Sequence, residues 1–228
     1  MTRVLITGAS RGIGRATALA CSARGAELGL LGRASGEQRE TAEACLRAGA
    51  ARVLPLIADA GQSADLERAA AEFLSSCGPP DALIHNAGIA HRTRIEETSL
   101  ASWDEHLRVN LSAPFILTRA LLPEMRRAGS GRIVFVGSIS ATLGTPNLSA
   151  YCATKWGLLG FMKSLALELT DSGLMTCAVL PGSVDTDMLK GSGFPPRMTA
   201  EAVARTLVHY AFDAPLAHNG ASIEMFGE

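Results

Sequence analysis

The sequence lacks most of the features that would tie it to a membrane, a nucleic acid or a metal. Its five cysteines are widely separated and form no C-x-x-C pair, which predicts free thiols in a reducing compartment and no zinc site. No apolar run reaches the roughly 20 residues needed to cross a bilayer, and no signal-peptide pattern follows Met1. The net charge of −1 lacks the basic excess of general nucleic-acid binders. These absences predict a soluble, cytoplasmic protein that binds neither membrane nor nucleic acid.

Short apolar runs that read as strands alternate with longer segments that read as helices. The 228 residues fit one α/β domain. No composition break or internal repeat divides the chain, so we expect residues 1–228 to form one dinucleotide-binding and catalytic domain. The predicted fold is a single doubly wound parallel sheet with helices on both faces, a Rossmann fold. The strands are predicted at Arg3–Thr7, Glu27–Leu31, Arg52–Ile57, Ala82–His85, Arg132–Val136 and Leu174–Leu180, with a last apolar segment at Ala221–Phe226.

The first strand is followed by the turn Gly8-Ala-Ser-Arg-Gly12-Ile-Gly14 and then by an alanine-rich helix. Strand, glycine turn and helix in this order are typical of the opening of a dinucleotide-binding unit. Glycines let the backbone approach a pyrophosphate, and the helix N-terminus offers free N–H groups and a positive dipole to that anion. The alternative is an ordinary βα turn.

The end of the second strand indicates which dinucleotide would bind. An acid there would bind the ribose 2′-hydroxyl of NAD, whereas an Arg accommodates the 2′-phosphate of NADP. This chain has no acid at the strand end, and Arg33 follows at once, with Arg11 in the glycine turn. We therefore predict NADP(H) rather than NAD(H). The alternative is that both Arg residues are solvated.

Further polar residues follow the third and fourth strands. Asp59 is expected either to accept a hydrogen bond from adenine or to belong to the N-cap region of the next helix. Asn86-Ala87-Gly88 forms another turn at the same edge of the sheet. The polar segment His91–Glu97 is predicted as a solvated loop, with the steering of an anionic substrate as the alternative.

A long helix is predicted over Leu100–Arg127. Pro114 removes one backbone N–H and should kink it. The kink would free a carbonyl near Asn110, where a water site is plausible.

Tyr151 and Lys155 lie four apart on a predicted helix and so share one face. Charges about 5 Å apart at an effective dielectric near 20 attract by roughly 3 kcal/mol. This would bring the pKa of a tyrosine from about 10 to near 8, which suits general acid–base catalysis near neutral pH. The alternative is a half-buried aromatic beside a solvated amine.

Taken together, the motifs resemble those of the short-chain dehydrogenase/reductase family, and most of all its 3-oxoacyl-(acyl carrier protein) reductase type. The resemblance covers nearly the whole chain, with Ser138 thirteen residues before Tyr151. His85 departs from it, because the family often has an Asn there. The C-terminal segment also differs from the family pattern. In the family this segment shapes the substrate pocket and one tetramer interface, so the resemblance does not imply a particular substrate or a tetramer for this chain. The motifs, in order, are Thr7-Gly8-x-x-x-Gly12-Ile13-Gly14, Asn86-Ala87-Gly88, Asn110, Ser138, Tyr151-x-x-x-Lys155 and Pro181-Gly182-x-x-x-Thr186.

The resemblance implies a catalytic role for four residues. Tyr151 would be the general acid or base, Ser138 would polarise the substrate oxygen, and Lys155 would lower the pKa of Tyr151 and hold the nicotinamide ribose. Asn110 would hold a water that relays protons. The expected cofactor contacts are Thr7, Gly8, Ser10, Arg11, Gly12, Ile13, Gly14, Arg33, Asp59, Asn86, Ala87, Gly88, Tyr151, Lys155, Pro181, Gly182, Val184 and Thr186.

The predicted function is NADP(H)-dependent hydride transfer between nicotinamide and a carbonyl or secondary alcohol, with no metal. A 3-oxoacyl thioester or a small ketone is the expected substrate, and the loop at about 188–198 should line its pocket. A homodimer or homotetramer is expected. The alternative is an NADP(H)-binding sensor with the same fold and little turnover.

Overall fold

A seven-stranded parallel sheet forms the centre of the computed structural model, which describes residues 1–33 and 35–227. The strand order is β3-β2-β1-β4-β5-β6-β7, and every neighbouring pair is parallel. Because the order reverses between β1 and β4, a crevice opens there at the carboxyl ends of the strands. The strands are β1 (Arg3–Thr7), β2 (Glu27–Gly32), β3 (Arg52–Ile57), β4 (Ala82–His85), β5 (Gly131–Val136), β6 (Leu174–Pro181) and β7 (Ala221–Met225).

Helices cover both faces of the sheet and enclose two separate apolar cores. Alternate residues of a strand point to opposite faces, so Val4 and Ile6 join one core while Leu5 joins the other. The first core lies under α1, α2 and α7, and the second lies under α3, α5 and α6. The doubly wound arrangement predicted from the sequence is therefore confirmed. The helices are α1 (Gly12–Ser22), α2 (Gly36–Arg47), α3 (Ser63–Cys77), α4 (Leu100–Leu107), α5 (Ala113–Ala128), α6 (Ser149–Glu168) and α7 (Ala200–Phe212).

Phe73 of α3 fills the second core where β2 carries no side chain. A Cβ placed on Gly29 would lie 2.6 Å from the Phe73 ring, and Phe73 is fully buried. Aromatic rings of this size bury a large apolar area. The absence of a side chain at Gly29 thus makes room for the largest side chain that this helix contributes.

The predicted helix over Leu100–Arg127 is interrupted. α4 ends at Leu107, a π-helical turn spans Arg108–Ser112, and α5 then runs to Ala128. Pro114 lies four residues after Asn110 and has no N–H to donate to the Asn110 carbonyl. The expected irregularity is confirmed, although its form is a π turn, a feature that often marks functional sites.

Candidate active site

The cleft at the carboxyl ends of the strands has a volume of about 690 Å³, within the usual range for small-molecule sites. It brings together nearly every residue predicted from the sequence. Thr7, Gly14 and Asn110 are not on its wall. The predicted residues on the wall are Gly8, Ser10, Arg11, Gly12, Ile13, Arg33, Asp59, Asn86, Ala87, Gly88, Ser138, Tyr151, Lys155, Pro181, Gly182, Val184 and Thr186.

The glycine turn after β1 packs against the turn after β4 too closely for side chains. Gly8 has φ of +66°, and a Cβ there would lie 2.8 Å from the Ala87 Cα. A Cβ on Gly14 would lie 2.2 Å from the Gly8 carbonyl oxygen. The Asn86 amide donates to the carbonyls of Thr7 and Gly8 at 2.9 and 3.0 Å. The Asn86 side chain therefore braces the turn, although the residue was predicted to face the adenosine.

The N-terminus of α1 opens onto the cleft. Within the described chain, Arg11 caps this helix without a side-chain hydrogen bond, and no acid lies in its first turn. Its first N–H groups can therefore receive an anion. The Arg11 guanidinium lies 3.3 Å from Asp187 across the cleft, with both side chains about half exposed. Such a pair is weak and can be exchanged for a ligand phosphate. Arg33, which follows β2, lies on the same cleft wall.

Asp59 braces the turn after β3. Its carboxylate accepts the Gly61 N–H at 2.8 Å, and its own N–H donates to Asp65 at 3.0 Å. Gln62, not Asp59, is the N-cap residue of α3. Asp59 also lies on the cleft wall, and its hydrogen bond to an adenine stays a prediction.

Tyr151, Ser138 and Lys155 form a buried group at the start of α6. Their exposed fractions are 8 %, 9 % and 4 %. Burial raises the pKa of Tyr151 above its ordinary value, although a hydrogen bond with Ser138 and the positive charge of Arg92 act in the opposite direction. The predicted pKa near 8 is therefore wrong for this structure.

The position of Lys155 explains that error. Its ammonium donates to the Val136 carbonyl at 2.8 Å and lies 5.6 Å from the centre of the Tyr151 ring. Burial lowers the pKa of Lys155 to about 8. The sequence-based estimate counted the attraction between the two side chains and left out the cost of removing both from water, which dominates at buried sites.

Asn110 lies behind the cleft wall, with 1 % of its surface exposed. Its side-chain oxygen accepts the Ile89 N–H at 2.8 Å, and its amide donates to the Ile89 carbonyl and the Thr154 hydroxyl at 2.9 and 3.1 Å. A Cβ on Gly88 would lie 3.3 Å from the Asn110 oxygen and 3.8 Å from the Lys155 ammonium. Asn110 thus ties the segment after β4 to α6. The water site expected near Asn110 stays a prediction.

The structure places on the cleft wall several residues that the sequence analysis did not include among the predicted site residues. Arg92 was assigned to a solvated loop, yet it lies on the wall, and its guanidinium donates to the Met188 carbonyl at 3.2 Å. Met188, Leu189 and Phe194 bring the expected substrate loop onto the opposite side. The position of Arg92 in the chain could have indicated that it lies on the cleft wall, because residues 89–92 follow the end of β4 by only four to seven positions. Thr154, which binds Asn110, had no such signal.

His85 is a core residue at the end of β4. It is 3 % exposed, its Nε2 lies 2.9 Å from the Thr118 hydroxyl, and its ring stacks on Phe135 with centroids 4.8 Å apart. Burial lowers the pKa of His85 to about 3, so the ring is neutral at physiological pH. It is absent from the cleft wall of the described chain.

Two further sequence-based expectations concern metals and membranes. Over residues 1–33 and 35–227, no group of three or more His, Cys, Asp or Glu is arranged to hold a metal ion. None of the helices in that part of the chain is long and apolar enough to cross a membrane. All five cysteines are free thiols, as predicted.

A doubly wound parallel sheet with a glycine turn at its switch point and a Ser–Tyr–Lys group beside it defines a Rossmann-fold oxidoreductase. The short chain dehydrogenase family pattern matches residues 2–193, and the chain belongs to that family.

Among its relatives, the chain is 37% identical over 188 residues to the 3-oxoacyl-[acyl-carrier-protein] reductase FabG of Escherichia coli (strain K12), covering 82% of this chain and 75% of that protein. It is 33% identical over 209 residues to the 2-(R)-hydroxypropyl-CoM dehydrogenase of Xanthobacter autotrophicus, covering 90% and 84%. The crystal structure of levodione reductase superposes with a TM-score of 0.92 at 28% identity, covering 98% of this chain and 95% of that one.

Proposed function

We propose that this protein is an NADP(H)-dependent oxidoreductase that transfers hydride between nicotinamide and a carbonyl or secondary alcohol. The observation that carries the proposal is the buried Ser138–Tyr151–Lys155 group on the wall of the large cleft. The glycine turn supports the cofactor assignment, since the spaces beside Gly8 and Gly14 leave no room for a Cβ. The N-terminus of α1 opens at the same turn.

Each residue of the group has a distinct task in this proposal. NADPH, when bound, supplies the hydride. Tyr151 is protonated at neutral pH because its pKa is raised, so it can give its proton to the carbonyl oxygen as that oxygen becomes an alkoxide. Ser138 donates a hydrogen bond to the same oxygen. Lys155 would hold the ribose hydroxyls, and the Asn110 carbonyl would hold a water that returns a proton through Lys155.

The remaining cofactor contacts follow the cleft wall. Arg33, with Arg11, would bind the 2′-phosphate of NADP(H), because a guanidinium pairs well with phosphate. Thr186 is proposed to hold the nicotinamide amide, while Asp59 and the Asn86–Gly88 turn lie toward the adenosine. The other proposed contacts on the wall are Ser10, Gly12, Ile13, Pro181, Gly182 and Val184. Thr7 lies behind the wall, where its hydroxyl accepts the N–H groups of Asn86 and Ala87, and is proposed to support that turn.

The substrate is proposed to be a 3-oxoacyl thioester or a small ketone, in line with the relatives that reduce such compounds by name. The loop at about 188–198 would line its pocket, and residues 1–228 would act as one domain. A cytoplasmic location is supported by the five free cysteines. Exposed Phe115 and Trp156 on α5 and α6 support a homodimer or homotetramer, which sedimentation would detect.

The test is steady-state oxidation of NADPH and NADH with a panel of ketones and 3-oxoacyl thioesters. We expect turnover with NADPH, and near loss of turnover in Tyr151→Phe with NADPH binding retained. Tyr210→Phe, the change at the chain's other tyrosine, is the matched control and should leave activity unchanged. Retained activity in Tyr151→Phe would remove Tyr151 from the mechanism, while cofactor binding without any turnover would favour a sensor.

Cofactor choice needs a separate pair of variants. Arg33→Gln should weaken kcat/KM for NADPH by about tenfold or more, because a hydrogen-bonded charge pair is lost, and should leave NADH unaffected. Arg39→Gln, an exposed change on α2, is the control. A clear preference of the wild type for NADH would contradict the assignment to Arg33.

A further inference from the structure

Arg92 places a positive charge at the substrate end of the cleft. It follows β4 by seven residues and is only partly exposed. Its guanidinium donates to the Met188 carbonyl at 3.2 Å. No carboxylate in the described part of the chain lies within ion-pair distance of it. A carbonyl oxygen uses one of the five N–H donors of an arginine, so donors of Arg92 remain for a ligand.

The acidic residues on the same wall are already engaged. Glu105 lies 3.8 Å from the His91 ring nitrogen, and Asp187 lies 3.3 Å from the Arg11 guanidinium. Asp187 also pairs with Lys190 at 2.5 Å, and Asp59 accepts the Gly61 N–H, whereas the His91 ring offsets the charge of Glu105 only when it is protonated. The charge of Arg92 has no carboxylate partner among the residues described. The unpaired positive charge of Arg92 therefore favours a negatively charged ligand beside it.

Arg92 and Tyr151 line the same cleft. The positive charge of Arg92 lowers the pKa of Tyr151, against the larger effect of burial. Leu148 and Phe194 line the same cleft and provide apolar surface there. A substrate whose carbonyl binds at Tyr151 therefore shares the cleft with the charge of Arg92 and with this apolar surface.

We propose that Arg92 is a specificity-determining residue that binds an anionic group of the substrate, so that the preferred substrate is a ketone bearing a carboxylate or a group of like charge. The inference rests on the proposed reductase function. Arginine suits this role because its planar fork pairs with a carboxylate through two parallel hydrogen bonds. The alternative role for Arg92 is purely structural, as a brace for the substrate loop at Met188.

The test compares oxo acids with their methyl esters, which differ in charge at nearly the same shape. Acetoacetate and levulinate, with methyl acetoacetate and methyl levulinate, supply two spacings between carbonyl and carboxylate. The wild type should prefer at least one acid over its ester in kcat/KM. Arg92→Gln should lower kcat/KM for that acid by about ten- to a hundredfold, mainly through KM, as expected for loss of a charged pair, with little change for the ester.

Arg94→Gln is the matched control, because Arg94 is exposed and paired with Glu96 at 2.8 Å. It should leave both substrates unchanged. An equal loss on acid and ester in Arg92→Gln would overturn the proposal in favour of the structural brace, and so would a wild type that prefers every ester.

If no ketone is turned over, the proposed reductase function is refuted, but the proposed anion site at Arg92 is not. Calorimetric binding of levulinate in the presence of NADPH then decides. Weaker binding to Arg92→Gln than to the wild type would support the site, and equal or absent binding would overturn it.

Discussion

Replacing Gly14, in the first turn of α1, with alanine would force a methyl group against the Gly8 backbone at the start of the glycine turn. The new Cβ would lie 2.2 Å from the Gly8 carbonyl oxygen and 2.5 Å from the Asn86 amide nitrogen. Carbon and oxygen atoms in close contact are normally about 3.3 Å apart or more, so the turn must move by about 1 Å. The neighbours on the near side include backbone, which cannot yield by a rotamer change.

The cost follows from two contributions. Overpacking of this kind costs about 1–3 kcal/mol, and the hydrogen bond from Asn86 to Gly8 contributes about 1 kcal/mol. The free energy of unfolding should therefore fall by about 2–4 kcal/mol, which corresponds to a decrease in Tm of roughly 5–15 °C for a chain of this size. Gly36→Ala is the control, since a Cβ there meets nothing within 4 Å, and its effect should stay within about 1 kcal/mol.

The assay combines thermal unfolding with NADPH titration. A ligand at a hundred times its Kd adds about 2.7 kcal/mol to the stability of the form that binds it. Gly36→Ala should still be stabilised by NADPH to this extent. Gly14→Ala should lose most of the stabilisation by NADPH, because the turn proposed to bind the pyrophosphate has moved. A Gly14→Ala protein that unfolds like the wild type and gains the same increment from NADPH would refute the reasoning.

Two further predictions concern the buried lysine and the second core. Because burial lowers the pKa of Lys155 from 10.5 to about 8, the unfolded chain binds more protons between these values, and stability rises with pH across that window. Below pH 8, the free energy of unfolding of Lys155→Met should therefore exceed that of the wild type by a value on the order of 3 kcal/mol. Urea titrations without cofactor should show this difference shrinking toward pH 10.5. A difference that stays constant with pH would contradict the lowered pKa of Lys155. Phe73→Ala should lower the free energy of unfolding by about 3–5 kcal/mol. Phe194→Ala, at an exposed ring, should change it by no more than about 0.5 kcal/mol. Equal effects of the two substitutions would show that Phe73 does not anchor the core.

The strands were predictable because buried parallel strands are continuous apolar runs bounded by turn residues. β1, β3 and β4 begin and end where the sequence placed them. Pro114 indicated the break in the long helix, because a missing N–H is a local property. The π geometry was not readable, since it accompanies contacts between Asn110 and Ile89, residues 21 positions apart in the chain.

The site was predictable to the extent that strand ends meet at one edge of a parallel sheet. That rule brought Gly8, Asp59, Asn86 and Ser138 to one cleft. It did not give their hydrogen bonds, such as those by which the Asn86 side chain braces the glycine turn. Arg92 was predicted to lie in a solvated loop, with the steering of an anionic substrate as the alternative, because one sequence does not reveal its contact with Met188.

The error over Tyr151 bears on the direction of the proposed reaction. Burial acts on both members of the pair, raising the pKa of the phenol and lowering that of Lys155 to about 8. Near neutral pH the phenol therefore keeps its proton and the lysine is still mostly charged. An anionic substrate that neutralised Arg92 would remove one influence that lowers the pKa of Tyr151, so the phenol would hold its proton more firmly. On the proposed mechanism, Tyr151 therefore already carries the proton that it gives to the carbonyl oxygen during reduction.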